Sequence, residues 1–366
     1  MACAATLMAG AAKPCRDRGC LLPERGLPPP SLPMPSLHAA LRTPVNMLAI
    51  LAAFGLAALA ALALALAIGS VPIGFGAIVR GVLGAGDTEA AIVHDLRLPR
   101  ALAAFATGGL LALAGTLMQL LLRNPLADPY VLGISGGAAT GALAAMLAGF
   151  TAVVMPAAFV GALLSTLIVF GLARKGGERS PWTAMRLLLT GVVVAAGWGA
   201  LIALMLTLAP DTQVKGMLFW LIGDLSAASH AWPTLLTLGI ALAVALPFAR
   251  DLNLLARGED TAAALGVAVP QVTLLLYGLA ALATAGAVTT AGSVGFVGLI
   301  VPHALRLLLG NDQRLLLPAS ALAGGALLAL ADTLARSVVA PIQLPVGVIT
   351  ALIGVPIFLV LLGRRA

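Results

Sequence analysis

Asp332 and Arg336 stand four residues apart in a long apolar run, the spacing at which a carboxylate and a guanidinium pair on one helix face. Asp332 is the acidic residue set well inside such a run. In a lipid-embedded protein that position is a candidate for proton or sodium coupling, unless Arg336 simply neutralises it. His303, next to Pro302, could carry a proton, although a histidine beside a proline near a helix end more often caps or packs. Arg97 and Arg100 bracket Pro99 at the head of another apolar run. Together with Arg336 they could attract an acidic partner or snorkel to lipid headgroups.

Other chemistries are excluded by what the chain lacks. The lysines are Lys13, Lys175 and Lys215, and none follows a Gly-x-x-x-x-Gly run, so there is no phosphate-binding loop. No HExxH pair and no cysteine or histidine cluster occurs. Cys3, Cys15 and Cys20 all fall in the first few dozen residues, where they can neither brace nor ligate anything in the apolar body. An enzyme, a metal site and a bound cofactor are therefore not expected.

The elements that must position these residues are membrane helices. Of 366 residues, 61% are hydrophobic and 10% charged, with 41 glycines and 4% aromatics, a balance suited to lipid and to close helix packing. A span needs roughly 20 apolar residues. Ten candidates meet this, at about 47–69, 98–122, 129–148, 151–173, 185–209, 231–249, 270–291, 293–309, 316–336 and 344–363. The third and eighth are rich in glycine and flanked by proline, which predicts short or broken helices. The fold class is thus all-α and polytopic, with a membrane domain over 47–366. Residues 1–46, carrying Pro28-Pro29-Pro30, read as a disordered extension or as residues upstream of a true start at Met47.

Ten spans put both termini on one side. With that side cytoplasmic, 16 basic residues lie inside against five outside, namely Arg80, Arg97, Arg100, Lys215 and Arg336. The net charge of +7 then reflects topology, and no nucleic-acid partner is needed.

Two connections carry further signals. In Arg123-Asn124-Pro125-Leu126-Ala127-Asp128-Pro129 the two prolines forbid a continuous helix, Asp128 is placed as an N-cap and Pro129 as the first helical residue. Gly133, Gly137 and Gly141 follow as a double GxxxG that brings another backbone close. Between the sixth and seventh spans, Asp251 or Asn253 can cap one short helix that Gly258 breaks, and Asp260 can cap a second that ends at Gly266. This charged pair, carrying Leu254, Leu255 and Leu265, is either a lid over the helix ends or a docking surface.

These stretches, with Leu254-Leu255-Ala256-Arg257-Gly258-Glu259, Gly295-Phe296-Val297-Gly298 running to Pro302-His303, and Leu344-Pro345-Val346-Gly347-Val348-Ile349-Thr350, closely resemble the permeases of iron-siderophore, haem and vitamin B12 importers. The resemblance covers essentially everything from Met47 onward. It implies a vitamin B12 permease-like fold of about ten helices, working as a homodimer in the bacterial inner membrane. Two cytoplasmic ABC ATPase subunits and a periplasmic substrate-binding protein are the implied partners, and the implied cargo is a metal chelate. By the same likeness, Leu254, Leu255, Arg257, Gly258, Glu259, Leu265 and Gly266 form the ATPase coupling surface. Arg97, Arg100 and Arg336 dock the binding protein, and Thr350 faces the translocation path. Where the vitamin B12 permease has small hydroxyl residues at its cytoplasmic gate, this chain reads Thr183-Ala184-Met185-Arg186. The rival reading is an ion-coupled secondary transporter, for which Asp332 is the lone buried carboxylate available.

Overall fold

The computed structural model describes residues 44–69, 73–84, 88–174, 184–228 and 230–363. The leading segment up to residue 43 and Thr183 lie outside the described residues. Fifteen α-helices form the described chain, with no strand among the described residues. Ten coincide with the expected spans: α1 (Pro44–Ala67), α4 (Leu98–Leu121), α5 (Ile134–Leu147), α6 (Val154–Arg174), α7 (Ala184–Leu208), α9 (Trp232–Ala245), α12 (Val269–Ala291), α13 (Val297–Leu309), α14 (Gln313–Ser337) and α15 (Val346–Gly363). Seven spans are long and apolar enough to cross a bilayer, and α5, α13 and α15 form shorter apolar helices.

The third and eighth runs do make short helices. The 14 residues of α5 and 13 of α13 reach about 20 Å at 1.5 Å per residue, well short of a roughly 30 Å hydrocarbon core. Each is completed by irregular backbone, a 3-10 turn at Pro129–Leu132 before α5 and an extended stretch after Gly292 before α13. The two irregular pieces are tied together. Tyr130 Oη donates to the Val294 carbonyl at 3.0 Å and accepts from the Val294 N–H at 3.1 Å. Ser135 Oγ lies 2.6 Å from Ser293 Oγ. Non-helical backbone at membrane depth is thereby satisfied inside protein.

At the centre stands α4, enclosed by α12, α13 and α14 and buried along most of its length. Small residues allow this. A Cβ at Gly115 would lie 1.7 Å from the carbonyl oxygen of Gly298 on α13. Pro302 supplies no N–H to that carbonyl, so it is turned toward the Gly115 Cα instead. Gln119 on α4 donates to the Leu299 carbonyl at 3.0 Å, one residue further along. The double GxxxG acts similarly on α6, where Cβ atoms at Gly137 and Gly141 would meet the carbonyls of Gly161 and Ala157. Outer helices are different: α1 and α7 are mostly exposed, showing Leu48, Leu56, Leu59, Val193 and Leu208, as suits helices facing lipid or a second subunit.

Counting apolar runs overlooks short elements. Five helices fall between the spans: α2 (Phe75–Val82), α3 (Thr88–Ile92, running into a π-turn at Val93–Arg97), α8 (Asp211–Ile222), α10 (Ala249–Leu255) and α11 (Glu259–Ala264). Only the last pair was expected.

Candidate functional site

Two arginines of the end that the sequence assigns to the outside, Arg100 and Arg336, converge on Asp332. Arg100, at the head of α4, donates from Nε at 3.0 and 3.1 Å and from Nη2 at 2.8 Å to the Asp332 carboxylate. Its Nη1 donates to Gln343 at 2.8 Å. Arg336 Nε lies 3.6 Å from the same carboxylate, so the pairing read from the i,i+4 spacing exists but is the looser of the two. Arg97 Nη1 donates to the carbonyls of Leu66 and Ala67 at 2.7 and 3.1 Å, and Arg336 Nη2 donates to that of Ala65. Carbonyls of the last helical turn have no intrahelical donor. Two guanidinium groups from elsewhere therefore close the end of α1. Arg97 is 5% exposed and Arg336 8%. Instead of projecting from the surface, these side chains are spent on internal contacts, and Arg100 sits at the rim.

At the opposite end, the expected turn is built as read. Asp128 is the N-cap of the 3-10 turn and accepts from the Tyr130 N–H at 2.8 Å, with Pro129 first in the turn. Enclosure pushes the Asp128 carboxyl up from its ordinary value, and the Tyr130 hydrogen bond pulls it back. Asn124 accepts from the Leu126 N–H at 2.9 Å, closing the bend at Pro125. Gly133 then takes a left-handed conformation at φ +70° before α5.

The short helices α10 and α11 are joined at Gly258, φ +125°, and α11 runs out at Gly266. Their capping differs from expectation. No side chain caps either helix, because Asp251 and Asp260 already lie inside the first turns. Asn253 reaches instead to the start of α14, donating to Asp312 at 2.8 Å and accepting from the Gln313 N–H at 2.8 Å. Arg123 Nη2 and Glu259 Oε1 approach to 2.6 Å. Thus α10 is fastened to α14, and α11 to the end of α4. Of the residues expected at a coupling surface, Arg257, Glu259 and Leu265 are exposed and Leu254 is half-buried. Leu255 is not on the surface: at 3% exposure it packs into the core.

Residues expected along the path separate likewise. Met185 is 64% exposed at the start of α7. Thr350 departs from expectation, being 5% exposed, with its hydroxyl donating to the Gly347 carbonyl at 3.1 Å. The roll of α15 against α13 turns Thr350 inward, next to Phe296 and Ile300, and leaves Leu352, Val355 and Leu359 outward. Pro302 and His303 are both buried within α13.

Two features escaped the sequence. The end of α8 is wedged between α12 and α15 by backbone alone: Asp224 N–H donates to the Ala291 carbonyl at 2.9 Å, and Gly347 N–H to that of Gly223 at 3.3 Å. Cβ atoms on Gly292 and Gly347 would strike the carbonyls of Trp220 and Ile222. Beside this joint is a cavity of about 800 Å3, lined by α8, the α5–α6 turn and the end of α12. The charged residues of α8 hid it from a count of apolar runs.

Residues 39–364 match the FecCD transport family. The cobalamin import system permease protein BtuC of Halobacterium salinarum is 43% identical over 289 residues, 77% of this chain and 76% of that protein. The hemin transport system permease protein HmuU of Yersinia pestis is 41% identical over 317 residues, 82% of this chain and 92% of HmuU. The Fe(3+) dicitrate transport system permease protein FecD of Escherichia coli is 39% identical over 76% of this chain and 87% of FecD. A solved structure of a metal-chelate type ABC transporter in an inward-facing conformation aligns with a TM-score of 0.76 at 28% identity, covering 86% of this chain and 99% of that one. The fold, its short paired helices and these likenesses agree: the chain belongs to the FecCD transport family, as the multi-pass permease subunit of an ABC importer whose ATP hydrolysis resides in separate subunits.

Proposed function

We propose that this permease carries a metal-chelate nutrient, whether ferric siderophore, haem or cobalamin, across the bacterial inner membrane. It works as a homodimer with both termini cytoplasmic, two ATPase subunits below and a periplasmic binding protein above. The observation that carries this reading is the fastening of α10 and α11. The Asn253–Asp312 and Arg123–Glu259 contacts join an exposed surface element directly to α14 and to the end of α4. A push on Leu265, Arg257 or Glu259 is then delivered to the centre of the bundle, as alternating access driven from outside the chain requires. Exposed faces of α7 and α15, from Met185 to Leu208 and from Leu352 to Leu359, are apolar and unoccupied by this chain, which suits a path shared between two copies.

Docking of the binding protein is assigned to the outer rim around Arg100, with Arg97 and Arg336 holding its foundation. Asp332 argues against the ion-coupled alternative. Its carboxylate accepts three hydrogen bonds from Arg100 and faces Arg336 as well, so it is occupied as the counter-charge of two guanidinium groups in a structural network.

The test is uptake of labelled haem, cyanocobalamin and ferric siderophores into proteoliposomes holding the full complex, with ATP inside and loaded binding protein outside. ATP-dependent accumulation of one chelate is expected. Uptake driven by an ion gradient without ATP would overturn the reading.

A further inference from the structure

Five basic residues are assigned to the outer side, against the general bias. Arg97, Arg100 and Arg336 are accounted for by Asp332 and the end of α1, and Arg80 has an interaction of its own. Lys215 is not. It is exposed on α8, pairs with no carboxylate among the described residues, and has its ammonium 5.9 Å from the centroid of the Phe219 ring. Lys215 lines the 800 Å3 cavity described above. Such a volume falls in the range of roughly 300–1,000 Å3 typical of small-molecule sites.

The lining argues for a soluble, charged occupant over a lipid tail. A gap facing hydrocarbon would be apolar throughout, because an ammonium there is costly. Here Lys215 shares the cavity with Asp224 and Thr290. The Asp224 carboxylate is turned to Ser226, accepting from its backbone N–H at 2.9 Å and from its hydroxyl, and makes no ion pair with Lys215. Phe219 and Trp220 supply flat apolar wall beside the cation. An ammonium with no ion-pair partner among the described residues, set next to aromatic faces, is a place for a carboxylate carried on a planar or apolar body.

We propose that this cavity is an intake site for an anionic metal chelate, with a carboxylate of the chelate on Lys215 and its apolar part against Phe219 and Trp220. This rests on the importer reading and narrows it: carboxylate-bearing chelates are favoured over neutral ones.

The experiment uses the full-length permease in nanodiscs, titrated with haemin, ferric dicitrate and cyanocobalamin. Tryptophan emission reports binding, and a Trp220→Phe variant assigns the signal to the cavity. Saturable quenching by haemin or ferric dicitrate that vanishes in the Trp220→Phe variant is expected. Lys215→Glu should raise the apparent Kd about tenfold at low salt, with the difference shrinking as salt rises, and Lys215→Arg should retain binding. Lys215→Gln, which adds no charge, should fall between them. Equal affinity in Lys215→Glu and the parent, or cyanocobalamin binding as tightly as the anions, would overturn the site. ATP-dependent uptake by the complete complex separates the two claims. Uptake that persists unchanged in Lys215→Glu removes the intake site alone, whereas no chelate uptake by the parent removes the importer reading and the site with it.

Discussion

Arg100 donates three hydrogen bonds of 2.8 to 3.1 Å to the carboxylate of Asp332, 232 residues further along the chain. The pair joins the head of α4 to the last turns of α14, two helix ends that no local signal connects. It also supplies the counter-charge that lets Arg336 lie buried while closing the end of α1.

Replacing Asp332 by Asn should therefore be severe. It leaves Arg100 and Arg336 enclosed together without an anion, and breaking a buried pair costs about 3–5 kcal/mol. Thermal denaturation in detergent should show a large fall in Tm, accompanied by loss of protection at the end of α1 in hydrogen exchange. A melting curve matching the parent would show that the network is dispensable.

Docking should depend on Arg100 more than on its neighbours. Arg100→Glu is expected to weaken binding-protein association about tenfold at low ionic strength, with the deficit closing at high salt. Arg97→Glu, at a side chain spent on the Leu66 and Ala67 carbonyls, should instead reduce the yield of folded permease. A salt titration of association, set beside size-exclusion profiles, distinguishes the two effects.

At the end of the bundle away from Asp332, Leu265 and Leu255 should behave oppositely. Leu265 is 59% exposed and Leu255 3%. Leu265→Glu should leave the protein folded and abolish stimulation of ATP hydrolysis by loaded binding protein. Leu255→Glu should prevent folding, since it buries an unpaired carboxylate. Full stimulation in Leu265→Glu would remove that residue from the coupling surface.

Glycine positions offer a paired control. Gly115→Ala places a methyl 1.7 Å from the Gly298 oxygen, so α4 and α13 must separate, and loss of folded protein is expected. Gly55→Ala in α1 meets nothing within 4 Å and should raise stability by about 0.4–1 kcal/mol. Thermal melts of both proteins check this.

Span number, the broken third and eighth helices and the turn at Asp128 were legible because length, composition and capping are local signals. Orientation was not. A membrane helix is apolar on every face, so nothing in α15 says that Thr350 points at α13 while Leu352 points outward. The same ambiguity misplaced Leu255 on the surface. The role of Asn253 was hidden because its partners, Asp312 and Gln313, lie about 60 residues away, and a short polar residue near a helix start looks like a cap. Arg336 was matched to Asp332 by spacing, but the tighter partner, Arg100, could be found only in three dimensions. Helix α8 was missed because Asp211 and Lys215 mark it as a loop to any reading that seeks uninterrupted apolar length.

The joint at the end of α8 is made of peptide groups touching peptide groups, with Gly223, Gly292 and Gly347 at its centre. Such a contact holds no variable side chain. A change of side chain in the walls of the neighbouring cavity therefore leaves these backbone contacts between α8, α12 and α15 in place. The two neighbours are thus built on different principles, one from side chains and the other from peptide groups.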